Sequence, residues 1–177
     1  MMSGRKDFER PSLREYLAIA IVIAAGVVLV RWASTLAPTP AEPREIVVPM
    51  TAMFALTGAV WLLMVISRNV AVLLGAASVK YFRDYGDGAP DEWIERPARA
   101  FDNLMQAPTL FYVVALLTIA LHGVDTSQVS LAWIYVASRV VHATIYVVFN
   151  YVPLRFASYA VSCITLAVMW ARLALSF

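Results

Sequence analysis

Five long runs of apolar residues, separated by short polar stretches, divide the sequence. They lie at about 15–37, 50–76, 96–121, 128–150 and 153–175. Each run is close to the roughly 20 residues that an α-helix needs to cross the hydrocarbon core of a bilayer. The pattern therefore predicts an all-α integral membrane protein with five spanning helices.

The connections between these runs carry residues that end or begin helices. The stretch T-L-A-P-T-P ends the first run, because proline lacks a backbone donor, and a proline-rich segment leads to the second. Pro97 suits the first turn of the third helix, which Pro108 is expected to kink. Ser127 is predicted to cap the fourth helix. The longest polar loop, about 77–95, contains an ordinary G-D-G turn.

The composition agrees with a membrane protein and excludes several classes of function. Of the 177 residues, 61% are hydrophobic and 15% are charged, whereas soluble domains are about 45–50% apolar. The formal net charge of +2 is too small to indicate a nucleic-acid partner. The single cysteine, Cys163, excludes an intrachain disulfide, and the two histidines fall on opposite membrane sides, so no metal site is predicted.

Lysine and arginine residues near the helix ends predict the orientation, because positive residues concentrate on the cytoplasmic side. The first run exceeds the roughly 7–15 residues of a signal-peptide core, so it is interpreted as a retained span. A cytoplasmic N-terminus puts the 77–95 loop and the 150–154 turn on the same side and the C-terminus outside. The cytoplasmic side would then carry nine basic residues: Arg5, Lys6, Arg10, Arg14, Lys80, Arg83, Arg96, Arg99 and Arg155. The opposite side would carry three: Arg44, Arg31 and Arg172.

Polar side chains recur along the fourth and fifth predicted helices, between residues 139 and 159. Four of them are spaced by three or four residues and so share one helical face: Arg139, His142, Tyr146 and Asn150. Arg155 and Tyr159 are four residues apart on the next helix, just after Pro153. A central arginine costs about 2.5–3.5 kcal/mol on membrane-insertion scales, so such groups usually face a bundle interior or a site.

The third predicted helix carries a second polar stripe. Arg99, Asn103 and Gln106 follow at steps of four and three, on one face of its first turns. The predicted topology brings both stripes to the cytoplasmic half of the bundle. Arginine presents a rigid fork of donors that suits carboxylates, and several arginines together suit an anionic ligand of peptide size.

Structural interpretations of the same residues stay open. Arg99 and Arg155 lie near helix starts, where an arginine can extend to the lipid headgroups. Arg139 lies about 11 residues, or about 16 Å, from the predicted cytoplasmic end, where this is harder. His142 could be an interhelical hydrogen-bonding residue.

At these residues the sequence resembles the MAPEG family, the membrane-associated proteins of eicosanoid and glutathione metabolism. The spacing R-x-x-H-x-x-x-Y from Arg139 to Tyr146, followed by P-x-R at Pro153 to Arg155, is similar to one family signature. The segment R-A-F-D-N-L-M-Q-A-P-T-L-F-Y, 99–112, resembles a second. The preceding K-Y-F-R-D-Y-G-D-G-A-P is most similar to bacterial members, which implies a bacterial inner membrane.

The resemblance implies a four-helix bundle over about residues 50–177 that assembles as a homotrimer, with glutathione bound between subunits as co-substrate. Residues 15–37 would then be an additional transmembrane helix, after a cytoplasmic tail at 1–14. A hydrophobic small molecule would be the second substrate. By resemblance, Arg155 stabilises the glutathione thiolate with help from Tyr146, and the residues that bind glutathione are Arg99, Asn103, Gln106, Arg139 and His142.

Three positions depart from the family pattern and support a second hypothesis. Gln106 replaces a common glutamate, and Phe101 and Asp102 replace histidine and basic residues. The first hypothesis is a glutathione or related thiol transferase, or a peroxidase-like enzyme, that acts on hydrophobic electrophiles. The second is a non-catalytic membrane binding or assembly module with the same fold. A small transporter is a weaker third, because the sequence shows no inverted repeat.

Overall fold

The computed structural model describes residues 12–84 and 90–176, and these residues form α-helices and one π-helical turn. The helices are α1 (Leu13–Thr35), α2 (Pro43–Leu73), α3 (Val79–Asp84), α4 (Glu92–Ala120), α5 (Thr126–Thr144) and α6 (Val152–Leu175), with the π-helical turn at Ile145–Phe149. Helices α1, α2, α4, α5 with its π-helical turn, and α6 are long and apolar enough to cross a membrane. The predicted all-α membrane architecture is therefore confirmed. Arg5, Lys6, Arg10 and the G-D-G turn lie outside the described residues.

Two helices begin earlier than the sequence pattern predicted. Helix α2 starts at Pro43 rather than near residue 50, because Glu42 and Glu45 form a capping box and Pro43 occupies the first turn. Pro49 is therefore buried inside α2. Helix α4 starts at Glu92, so Pro97 lies beyond its first turn. The acidic residues of this turn favour the earlier start, since they face the positive end of the helix dipole.

The predicted N-cap of the fourth helix was wrong. Asp125 caps α5, and its carboxylate accepts a hydrogen bond from the backbone N–H of Gln128 at 2.7 Å. The Ser127 hydroxyl instead donates to the carbonyl of Leu36 at 3.0 Å, so it ties α5 to the end of α1. A buried serine that contacts another helix cannot be distinguished from a cap by sequence alone.

The core lies among α2, α4, α5 and α6, and α1 packs against α6 and α5. Phe111 of α4 and Tyr135 of α5 stack at the centre, with ring centroids 4.6 Å apart. Helix α1 adds Val30 and Ala33 to the same core. The extra N-terminal helix is thus an integral part of the packing, although its outer face is exposed to the surrounding lipid.

A close approach of backbones fixes α1 on α6. A Cβ atom built on Gly26 would lie 2.3 Å from Cγ2 of Val161. Since valine is stiff about χ1, it has little freedom to move away. Glycine at position 26 is therefore required by the distance between the two helices.

We predict that Gly26→Ala lowers the stability of the purified protein in detergent by about 1–3 kcal/mol, because it overpacks this contact. Thermal unfolding measures the effect. Gly58→Ala is the matched control, since a Cβ at Gly58 meets nothing within 4 Å. The double variant Gly26→Ala/Val161→Ala should recover stability. Equal unfolding temperatures for Gly26→Ala and Gly58→Ala would contradict the assignment.

Candidate functional site

A cleft of about 320 Å³ opens where the start of α4, the end of α5 and the start of α6 meet. Four of the residues predicted from the sequence line it, namely Asn103, His142, Tyr146 and Arg155. Tyr159, from the same predicted stripe, also lines it, together with Val152 and Phe156. The two polar stripes therefore converge at one end of the bundle.

The π-helical turn places the aromatic and amide groups at this end. Ile145–Phe149 widen the last turn of α5, and Asn150 then adopts a left-handed conformation with φ 49°. Its backbone N–H donates to the carbonyl of Ile145 at 2.6 Å. Asparagine tolerates this conformation better than most residues, and π-helical turns are frequent at functional sites. The chain can therefore reverse sharply into α6 with Tyr146 and Asn150 beside it.

Arg155 is held in place by two contacts with this reversal. Its Nη1 donates to Oδ1 of Asn150 at 2.5 Å. Its guanidinium carbon lies 4.1 Å from the centroid of the Tyr146 ring, which is the geometry of a cation–π contact. The guanidinium is thus oriented at the cleft, and its positive charge has no carboxylate among the lining residues.

His142 connects the end of α5 to the first turn of α6. Its Nδ1 lies 2.9 Å from the backbone carbonyl of Arg155. Because a carbonyl only accepts, Nδ1 carries the proton, which makes Nε2 an acceptor in the neutral ring. Nε2 is buried and has no hydrogen-bond partner in the described part of the chain. The ring of Tyr159 lies close by, with centroids 5.6 Å apart.

Arg139 lies behind the cleft rather than in its wall. It is fully buried, and its Nη2 donates to the backbone carbonyl and to Oδ1 of Asn103, at 3.2 and 2.5 Å. Because Oδ1 of Asn103 faces Arg139, the amide N–H groups of Asn103 remain for a ligand. Nε and Nη1 of Arg139 have no partner among the described residues. Arg139 therefore acts on the cleft through Asn103, and its own unpaired N–H groups lie behind the cleft wall.

Two further predicted residues are not brought into this cleft. Arg99 and Gln106 are exposed on the outer side of α4, on the same face as Asp102. Gln106 instead lines a groove of about 500 Å³ between α4 and α6, which also contains Tyr159 and Cys163. Tyr159 therefore separates the polar cleft from a more apolar groove.

The apolar lining residues Val152 and Phe156 were not predicted from the sequence. Val152, Arg155, Phe156 and Tyr159 follow at helical steps of three, one and three, so they share one face of α6. This spacing is the signal that could have identified them. In a membrane protein, however, an apolar residue at such a position is also expected on the lipid side.

Comparison with known proteins assigns the chain to a family of membrane proteins. The model of the MAPEG family matches residues 47–175, and the chain belongs to that family. Neither the curated proteins nor the solved structures gave a match. The matched range contains every residue of the cleft and excludes α1. Membership supports a glutathione-transferase-like or related role in the membrane, in a family that generally uses glutathione and is generally trimeric.

We predict that Asn103→Ala destabilises the protein by about 1–3 kcal/mol, because it removes an acceptor from the buried guanidinium of Arg139. Thermal unfolding in detergent again measures the change. Asp102→Ala, at the exposed neighbouring position, should leave the unfolding temperature close to that of the wild type. If both variants unfold at the wild-type temperature, Asn103 does not hold Arg139 as described.

Proposed function

We propose that the protein is a membrane-bound transferase for glutathione, or a related thiol, and hydrophobic electrophiles. The observation that supports this most is the guanidinium of Arg155, which Asn150 and Tyr146 orient into a cleft with no carboxylate among its described lining residues. A fixed positive charge beside a thiol favours the thiolate, which is the nucleophilic form. Family membership supports the choice of glutathione.

Conjugation of an electrophile takes one covalent step. The thiol of glutathione gives its proton to water, and the resulting thiolate is stabilised by Arg155, with a hydrogen bond from the Tyr146 hydroxyl. The sulfur then attacks the electrophile, a carbon–sulfur bond forms, and the leaving group departs with the bonding electron pair. With a hydroperoxide, sulfur attack breaks the O–O bond to give an alcohol and a sulfenic acid, and a second glutathione converts the latter to a disulfide and water.

The remaining predicted residues fit this proposal in a homotrimer. Arg99 and Gln106 lie on the outer face of α4, where the ligand would contact them only if it also lay against a neighbouring subunit. Asn103 and His142 would bind the peptide part of the ligand from within the cleft, and Arg139 would act by orienting Asn103. The hydrophobic substrate would enter from the lipid. We place the cleft on the cytoplasmic side, in a bacterial inner membrane, with the C-terminus outside.

A non-catalytic binding module remains the second candidate. Gln106 cannot supply the negative charge of a glutamate, and Asp102 adds a negative charge to the outer face of α4. This candidate predicts glutathione binding without turnover and without the ultraviolet absorbance of a thiolate. An enzyme would show glutathione binding, turnover and the absorbance of the thiolate.

We predict that Arg155→Ala lowers kcat/KM for conjugation of a generic electrophile about 100-fold, as expected for loss of a group that stabilises the reacting anion. Purified protein in detergent with glutathione provides the assay. Arg155→Lys should retain part of the activity, since lysine keeps the charge without the fork. The control is Arg83→Ala, on α3 and paired with Asp84 away from the cleft. Equal rates for Arg155→Ala and the wild type would refute the mechanism.

A further inference from the structure

Helix α1 lies outside the matched family range but contacts the segment that positions Arg155. The phenol of Tyr151 donates to Oε1 of Glu15, near the start of α1, at 3.0 Å. Tyr151 is the residue between Asn150 and α6, where it precedes the first helical residue, Val152. This hydrogen bond therefore links a side chain of the extra helix to a side chain at the edge of the site.

Glu15 is fixed by a second set of bonds on its own helix. Its Oε2 accepts from the backbone N–H and the hydroxyl of Ser12, at 2.7 and 3.0 Å, and so forms a capping box. One carboxylate oxygen thus caps the start of α1, and the other oxygen accepts the hydrogen bond from Tyr151. Loss of surrounding water, and then the bond to Glu15, raise the pKa of the Tyr151 phenol. A tyrosine phenol of ordinary pKa is already protonated at neutral pH, so Tyr151 is the donor in this bond.

The position of Glu15 relative to α6 is set along the whole of α1. Gly26 lies against Val161 in the middle of the two helices. At the other end of α1, Nη1 of Arg172 donates to the carbonyl of Ser34 at 3.3 Å. The Ser127 hydroxyl donates to the carbonyl of Leu36 at the same end. Because α1 is attached to the bundle in its middle and at its far end, the start of the helix, with Glu15, has a defined position relative to Tyr151.

Tyr151 passes this constraint to Arg155 through the backbone. The carbonyl of Tyr151 accepts from the backbone N–H of Arg155 at 3.1 Å. Its neighbour Asn150, in the left-handed conformation, supplies the acceptor for Nη1 of Arg155. A shift of Tyr151 would therefore move both the start of α6 and the amide that orients the guanidinium.

We propose that α1 acts as a positioning element for the site: Glu15 holds Tyr151, and Tyr151 holds Asn150 and Arg155 in the geometry that the cleft needs. Glu15 and Tyr151 are positioning residues, since neither lines the cleft. The proposal rests on the proposed function for its effect on activity, but its effect on local structure is independent of that function.

The experiment uses the full-length protein in detergent and two measurements. Amide hydrogen exchange of the segment 150–156, measured without glutathione, reports how stable its local structure is. The kinetics of conjugation report how well the site functions. Tyr151→Phe and Glu15→Ala should each speed the exchange, and each should lower kcat/KM for glutathione about fivefold, the effect of one lost hydrogen bond, with KM for the electrophile unchanged. The double variant should be no worse than either single variant.

Two control variants separate this relay from general loosening of α1. Ser12→Ala weakens the cap without removing the bond to Tyr151, and Tyr16→Phe alters a neighbouring exposed tyrosine. Both should leave exchange of the segment 150–156 unchanged.

Wild-type exchange in Tyr151→Phe, or additive losses in the double variant, would overturn the proposal. Faster exchange in Ser12→Ala equal to that in Glu15→Ala would also overturn it. A wild-type protein that conjugates nothing would count against the proposed function, whereas the exchange pattern would still decide whether α1 positions the site.

Discussion

The bond between Arg139 and Asn103 is the interaction on which this end of the bundle depends. A guanidinium that is fully buried among apolar helices is costly unless its donors are satisfied, and removal of a partner from such a charge is strongly destabilising. Asn103 offers two acceptors, a side-chain oxygen and a backbone carbonyl. The pair therefore fixes α5 against α4 and also sets which side of the Asn103 amide faces the cleft.

The other wall of the cleft depends on how the chain reverses after α5. The π-helical turn and the left-handed Asn150 bring Tyr146 and the amide of Asn150 into contact with the Arg155 guanidinium. His142 then binds the carbonyl of Arg155, so α5 holds α6 through a backbone contact as well. Every residue of this assembly lies within the matched family range. In this chain α1 adds a further support, through Glu15 and Tyr151.

Much of this arrangement follows from the sequence, and the reasons differ between elements. Apolar length predicted the five spans, and spacing by three and four residues placed His142 and Tyr146 on one helical face. The predicted topology then brought Asn103 and Arg155 to the same end of the bundle. Spacing could not show that Arg139 lies behind Asn103. The position of a residue along its helix does not specify which residue of a neighbouring helix packs against it. Spacing also could not separate Gln106 from Asn103, since a step of three residues rotates a side chain by about 60° from its starting direction. The π-helical turn and the Glu15–Tyr151 contact depend on tertiary geometry, which no local pattern encodes.

In the proposed function, this cleft binds a thiol and favours its ionised form. Calorimetric binding of glutathione to the purified protein in detergent, repeated in two buffers of different ionisation enthalpy, measures proton release directly. We expect saturable binding of glutathione with release of a proton, and binding of S-methylglutathione without release, because it has no thiol proton. Saturable binding of glutathione without proton release, or no saturable binding by the folded protein, would contradict the proposed function.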